Sequence, residues 1–273
     1  MAINSFLKVE KGDPDWQFSP EQYFGKEVKI IDASNIEMSR DHKEQIVLRQ
    51  NPTDKGLVAK HIRIELKENS ELDLVIINDL DNHLQQIFLY DIILNEGSSI
   101  NFGIFAQGGK FNKHIIQVAQ QSGSSFNAFG LISNTSGGDT ELITKTVHQN
   151  PYSKSRQLIL GRAGPRSQTV FQGMVILNEN SAGGEASVEN MNLITGPKGR
   201  CFSKPEIYTN CDGVKSHMGS ITENISDEKI YYLQARGLEP KIATSTIISS
   251  FQNQVIDLLH FDDLRAEIKQ IFN

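Results

Sequence analysis

The sequence predicts a mainly β fold, a β-solenoid followed by a C-terminal helical unit. Three observations carry this. From about residue 46 to 222, short β-branched runs alternate with polar turns, and almost nothing there has the spacing of a long amphipathic helix. A turn signature recurs in that stretch at a nearly constant period. After Gly219 the periodicity becomes helical, with recognisable start and stop signals.

Residues 1–45 read as a lead-in or cap. Turns fall at Asp13-Pro14-Asp15 and Ser19-Pro20-Glu21, and the second can open a short helix through Gln22-Tyr23-Phe24, with proline in its first turn. Residues 46–224 form the expected β core. Runs such as HIRIEL, LDLVII, IFLYDIIL and TVFQGMVIL have strand length and, in places, period-two alternation. About 170 residues of strand without interleaved helices exclude a doubly wound α/β sheet. The recurring signature is a small polar turn leading into an alternating strand. It occurs at Asn69-Ser70-Glu71, Gly97-Ser98-Ser99 and Gly123-Ser124-Ser125, spaced 28 and 26 residues apart. Looser copies follow at Tyr152-Ser153-Lys154-Ser155 and Asn180-Ser181-Ala182. Two or three short strands per repeat are too few for a propeller blade, so one solenoid coil per repeat is the reading. From periodicity alone, an antiparallel sandwich with look-alike loops stays open.

Residues 225–273 form the expected helical unit. Ser226 is placed as an N-cap with Asp227 and Glu228 in the first turn, and Gly237 as the stop. Pro240 leads a longer amphipathic run, and DDLRAEIKQIF makes a last helix. Capping the last coil is the plain role for this tail; an apolar face for a partner is the sharper one.

Composition narrows the function. A net charge of -6 argues against non-specific nucleic-acid binding. Two cysteines, Cys201 and Cys211, make neither a disulfide framework nor a CxxC zinc site, which suits a reducing compartment. No run of 18 apolar residues predicts a membrane span, and no secretory signal is read at the N-terminus, so a cytoplasmic setting is expected, or an organellar stroma or matrix in a eukaryote. Walker A, HExxH and GxSxG motifs are absent. The densest chemistry is Cys201 followed by Cys211, Asp212 and His217. Thiolate and imidazole suit iron or zinc, and His217 with Cys211 is the candidate metal pair if adjacent strands bring them together. Two buried cysteines and a satisfied histidine are the plain alternative. His148 reads as structural.

These residues also carry a family resemblance. His148-Gln-Asn-Pro151-Tyr-Ser153-Lys-Ser155 resembles His-x-x-Pro-x-Thr-x-Ser of the paired SufB and SufD scaffold subunits of iron–sulfur cluster assembly. Val170-Phe171-Gln172-Gly173 resembles the family's Val-Phe-x-Gly. Asn190-Met-Asn192-Leu193 is similar to its Asn-x-Asn-Leu, Lys204-Pro205 with Asp212-Gly-Val-Lys215-Ser-His217 to its Lys-Pro and Val-Lys-Cys-Ser-His pieces, and Tyr231-Tyr232-Leu233-Gln-Ala-Arg236-Gly237 to its Phe-Tyr-Leu-x-Ser-Arg-Gly. The ordered match runs from about 140 to 260. It implies a right-handed parallel β-helix with a C-terminal helical domain, and a non-enzymatic subunit of the assembly scaffold. Implied partners are a SufB-like subunit met through the β-helix and a SufC-like ABC ATPase met through the C-terminal helices, with a homodimer open for the chain alone. No nucleic acid, membrane or intrinsic cofactor is implied; an iron–sulfur cluster would be held transiently at the subunit interface. His217 matches the SufD histidine, with one residue fewer before it, and the SufB cysteine and Glu-rich segment have no secure match. The chain is therefore SufD-like, with His217, Cys211 and Cys201 as interface candidates and Tyr232, Arg236, Ile247, Phe251 and Val255 as ATPase-docking candidates. A family member acting only as a structural dimer partner is the alternative. A β-helix enzyme acting on polysaccharide is disfavoured by the missing acidic groove.

Overall fold

A computed structural model describes residues 30–50, 57–260 and 262–272. The helix expected near Ser19-Pro20-Glu21 lies outside the described residues. The described residues make fourteen strands: β1 (Ile30–Met38), β2 (Lys43–Arg49), β3 (Leu57–Leu66), β4 (Glu71–Leu80), β5 (Gln85–Leu94), β6 (Ser99–Gly108), β7 (Phe111–Gln120), β8 (Ser125–Asn134), β9 (Asp139–His148), β10 (Lys154–Ala163), β11 (Gln168–Leu177), β12 (Glu185–Ile194), β13 (Arg200–Thr209) and β14 (Lys215–Asn224). Odd strands form one seven-stranded sheet in sequence order and even strands form another. Every recorded pairing is parallel and skips one strand, as β3 with β5 and β10 with β12. This is a two-sheet parallel β-solenoid of seven coils, and the sandwich alternative falls. Among the described residues the solenoid already includes Ile30–Met38, ahead of the expected boundary at 46, because IIDASNIEM alternates too weakly to read as a strand by itself.

The repeat has a physical cause. Asn69, Gly97, Gly123 and Tyr152 all have left-handed φ, between 56° and 67°. The backbone amide of each donates to a carbonyl of the next coil, at Glu96, Ser122, Pro151 and Ala182. The serine that follows each, Ser70, Ser98, Ser124 and Ser153, is buried and donates its hydroxyl to the carbonyl three residues before it. The fifth copy, expected at Asn180-Ser181-Ala182, is displaced. The left-handed residue there is Gly183, and Ser181 instead donates to the His148 carbonyl at 2.7 Å.

Two apolar clusters follow from strand alternation. Inward residues such as Leu74, Phe88, Tyr90, Phe102, Phe126 and Phe171 fill the lumen between the sheets. The outward residues Val75, Ile77, Phe105, Phe129, Leu131 and Leu160 form a second cluster on the even sheet. The last two of the three C-terminal helices cover the second cluster. Helix α1 (Asp227–Ala235) is capped by Ser226, whose hydroxyl accepts from the Lys229 amide, and is followed by Gly237 at φ 94°. Helix α2 (Pro240–Ile256) begins at proline and contacts β8 and β10. Helix α3 (Asp262–Phe272) buries Leu264, Ile268 and Phe272, four residues apart and therefore on one face. Burying each such side chain stabilises by about 1.5–3 kcal/mol. Arg49 grips Glu267 with two hydrogen bonds of 2.9 and 2.6 Å, while Arg162 and Gln107 donate to the Phe272 and Ile271 carbonyls. The tail thus lies along the flank of the solenoid. The expected cap over the last coil is not formed by it, because the outward aromatic stripe of the middle coils claims its apolar face.

Candidate functional site at the open end

The last coil is the most exposed part of the described solenoid. On β13 and β14 no residue is fully buried, and Phe202, Tyr208, Met218 and Ile221 are exposed. Among the described residues each strand pairs on one side only, with β11 and β12 respectively. Two ten-residue edges therefore present free backbone donors and acceptors, which is a template for another chain. Pro205 lies within β13, and proline is tolerated in a sheet where the strand is an edge.

Register fixes which way each side chain points. Val188 belongs to the lumen cluster and pairs with Met218, so Met218 faces the lumen and its neighbour His217 faces outward. His217 is 68% exposed, and its Nε2 lies 4.0 Å from Glu189 Oε1. Ser187, the register partner of His217, donates its hydroxyl to the same Glu189 oxygen at 3.3 Å. On β13, Cys201 pairs with Thr169 across the lumen face, and the Thr169 hydroxyl lies 3.2 Å from its sulfur. Burial pushes the Cys201 thiol up, which keeps it protonated and unreactive. Cys211 lies in the turn between β13 and β14 and packs, half-buried, against the lumen cluster.

The expected metal pair is thus not assembled by the chain alone. Cys211 turns toward the lumen, while His217 turns to the outer face. Cys201 sits at the start of β13 and His217 near the start of β14. These strands run back along one another, so the two residues are about 20 Å apart at 3.3 Å per residue. Among the described residues no three His, Cys, Asp or Glu side chains converge as a metal site.

The helical candidates divide as well. Val255 is completely buried against the even sheet, which corrects its expected place on a docking face: the tail's apolar stripe is occupied by its own solenoid. Phe251 packs on the same cluster and Ile247 is half-buried. Tyr232 is exposed, with the Arg236 guanidinium stacked 4.6 Å from its ring. Tyr231, 72% exposed, and Ile242 extend this surface. The helical pattern in the sequence located the apolar stripe but could not say which part the solenoid would cover.

His148 is fully buried, with Ser153 and Ser155 hydroxyls 2.7 and 2.8 Å from its two ring nitrogens. Burial lowers its pKa to about 4. Its role is structural, as the sequence indicated.

Comparison with known proteins adds the family. A family model described as the SufBD core domain of SUF-system FeS cluster assembly matches residues 25–251. An iron–sulfur cluster assembly SufBD family protein of Synechocystis is 26% identical over 164 residues, 60% of this chain and 36% of the relative. The iron–sulfur cluster assembly protein SufD of Escherichia coli is 24% identical over 192 residues, 69% of this chain and 45% of the relative. The chloroplastic protein ABCI7 of Arabidopsis thaliana is 24% identical over 190 residues, 68% and 39%. The match spans less than half the length of each of these relatives. Among the described residues no helix is long and apolar enough to cross a membrane.

Proposed function

Because the chain belongs to the SufBD core family of SUF-system iron–sulfur cluster assembly, we propose that it is a non-catalytic, SufD-like scaffold subunit working in the cytoplasm or an organellar stroma. In this reading the β13 and β14 edges pair with a SufB-like subunit, and the α1–α2 surface around Tyr232, Arg236 and Ile242 docks a SufC-like ATPase. The cluster is cargo, built where the subunits meet. The observation that carries the reading is the open last coil: one edge strand from each sheet, with exposed apolar side chains on both. His217 supports the site assignment because it stands on that edge, solvent-facing, where a partner's ligands can reach it. Neither cysteine of this chain shares its face, so the remaining ligands would come from the partner.

An anaerobic pull-down of the tagged full chain from its host lysate tests this. Removing everything after Ile225 is a poor control, since it would bare Phe105, Phe129 and Leu131. Point variants serve better. Met218→Lys with Ile221→Lys should lose the SufB-like partner, and Tyr232→Ala with Ile242→Asp should lose the ATPase. Retention of both partners by both variants, or capture of neither by the wild type, would sink the proposal. His217→Ala should leave Tm unchanged and lower cluster delivery in a complementation assay; full complementation would reduce the chain to a structural partner.

A further inference from the structure

We propose that two stacked Gly-Pro-cation turns, Gly164-Pro165-Arg166-Ser167 and Gly196-Pro197-Lys198-Gly199, form a docking point for an acidic segment of a protein partner. Both are four-residue turns closed by a hydrogen bond from the last amide to the first carbonyl, Ser167 to Gly164 and Gly199 to Gly196, each 3.2 Å. Arg166 and Lys198 occupy the third position with φ of 56° and 62°. Proline at the second position and a left-handed third residue define a turn that favours glycine there. Earlier coils follow that preference on the same side of the solenoid, where Gly109 and Gly137 take the left-handed φ. A left-handed backbone at a residue with a Cβ costs about 1–2 kcal/mol, so arginine and lysine are poor choices for the fold itself.

Charge gives a second, independent argument. Several charges brought into register between coils are paired with opposites: Lys43 with Glu71, Lys113 with Glu141, and Glu185 between Lys154 and Lys215, while the like pair Glu37 and Glu65 shares the cation Lys67. Arg166 and Lys198 reverse that arrangement. The Arg166 amide donates to the Pro197 carbonyl at 3.0 Å, which locks the two turns in register, and coil spacing puts the two cations about 4.8 Å apart at the backbone. Like charges so placed repel. Both side chains are exposed, and neither has a carboxylate within 4 Å among the described residues, nor has Lys110 two coils below. Backbone strain and charge repulsion thus coincide at two equivalent positions of a chain whose net charge is -6. Such coincidence marks a binding surface.

The occupant follows from chemistry and position. Two adjacent cations fit Asp and Glu side chains, and Lys198 leads directly into the edge strand β13. A polypeptide seated on that open edge passes beside the Lys198 turn, with the Arg166 turn one coil, about 4.8 Å, further in. Only this choice of a protein as the source rests on the assembly reading above.

The test uses the isolated full chain and a fluorescent hexaglutamate peptide at low salt, with inorganic phosphate as a second probe. The wild type should bind the peptide, weakening as salt rises, and phosphate should not compete at equal concentration. Arg166→Gly with Lys198→Gly should weaken binding at least tenfold while raising Tm, because glycine relieves the backbone. The charge-matched control Arg40→Gln with Arg63→Gln should bind as the wild type. No binding by the wild type, equal loss in the control, or a lowered Tm in the glycine variant would overturn the proposal. Phosphate binding without peptide binding would overturn the choice of a polypeptide. None of these outcomes depends on whether the SUF partners are captured.

Discussion

His148 and His114 lie inside the lumen as neutral imidazoles. Burial lowers their pKa values to about 4 and about 3, from an ordinary 6.5. As pH falls through 6.5 the unfolded chain takes up protons that the folded chain refuses, so stability drops by about 1.4 kcal/mol per pH unit for each histidine. The loss begins near pH 6.5 and ends only near the folded values. Urea midpoints at pH 7.5 and 4.5 should therefore differ sharply, and His148→Gln should flatten the slope; an unchanged slope in that variant would remove His148 as a cause. Glycine supplies a second residue-scale prediction. A Cβ on Gly130 would stand 1.9 Å from the Ile104 carbonyl oxygen of the neighbouring strand. Gly130→Ala should cost about 3 kcal/mol, within the upper range for overpacking, measurable by denaturant unfolding. The sequence offered no sign of this, since Gly130 sits in an ordinary-looking strand. It did flag His148 as structural, because a histidine beside a Pro-Tyr-Ser turn has local partners available.

At the scale of elements, the tail divides into a buried and a free part. Val255 and Ile256 are sealed against the even sheet while Tyr231 and Tyr232 of α1 face outward. Val255→Asp should therefore destabilise by about 3–5 kcal/mol through a buried unpaired charge, and Tyr232→Ala should change stability by less than about 0.5 kcal/mol. Thermal melts of the two variants check this, and similar losses in both would contradict the division. The helix starts at Ser226 and Pro240 and the stop at Gly237 were legible because capping is local chemistry: Ser226 needs only the Lys229 amide three residues on. The covering of Phe105, Phe129 and Leu131 by Leu264, Ile268 and Phe272 was not legible. These residues are brought together across more than a hundred positions of chain.

For the whole molecule, a solenoid's stability is a sum over neighbouring coils. The middle coils have lumen packing on one face of the even sheet and helices on the other, whereas among the described residues β13 and β14 have neighbours on one side only. Amide exchange should be slowest in β6, β8 and β10 and fastest in β13 and β14 of the isolated chain. A docked SufB-like partner should slow the last two strands specifically; uniform protection without the partner would argue that the end coil is not an open edge.

What the sequence determined by itself is what repeats locally. The left-handed residue followed by a buried serine, at Asn69-Ser70, Gly97-Ser98 and Gly123-Ser124, sets the coil period because one short turn holds its own hydrogen bonds. Alternation along the strands sets the two faces, and five ordered motifs set the family. Tertiary structure alone decided which faces stay open. Strand return places Cys201 and His217 near opposite ends of the last coil, and the register of β14 on β12 turns His217 outward, so the chain carries separated candidates in place of a complete metal site. Register likewise stacks Arg166 on Lys198. Both outcomes depend on hydrogen bonds between residues about thirty positions apart, and a pattern read along the chain does not show which side chains those bonds bring to one surface.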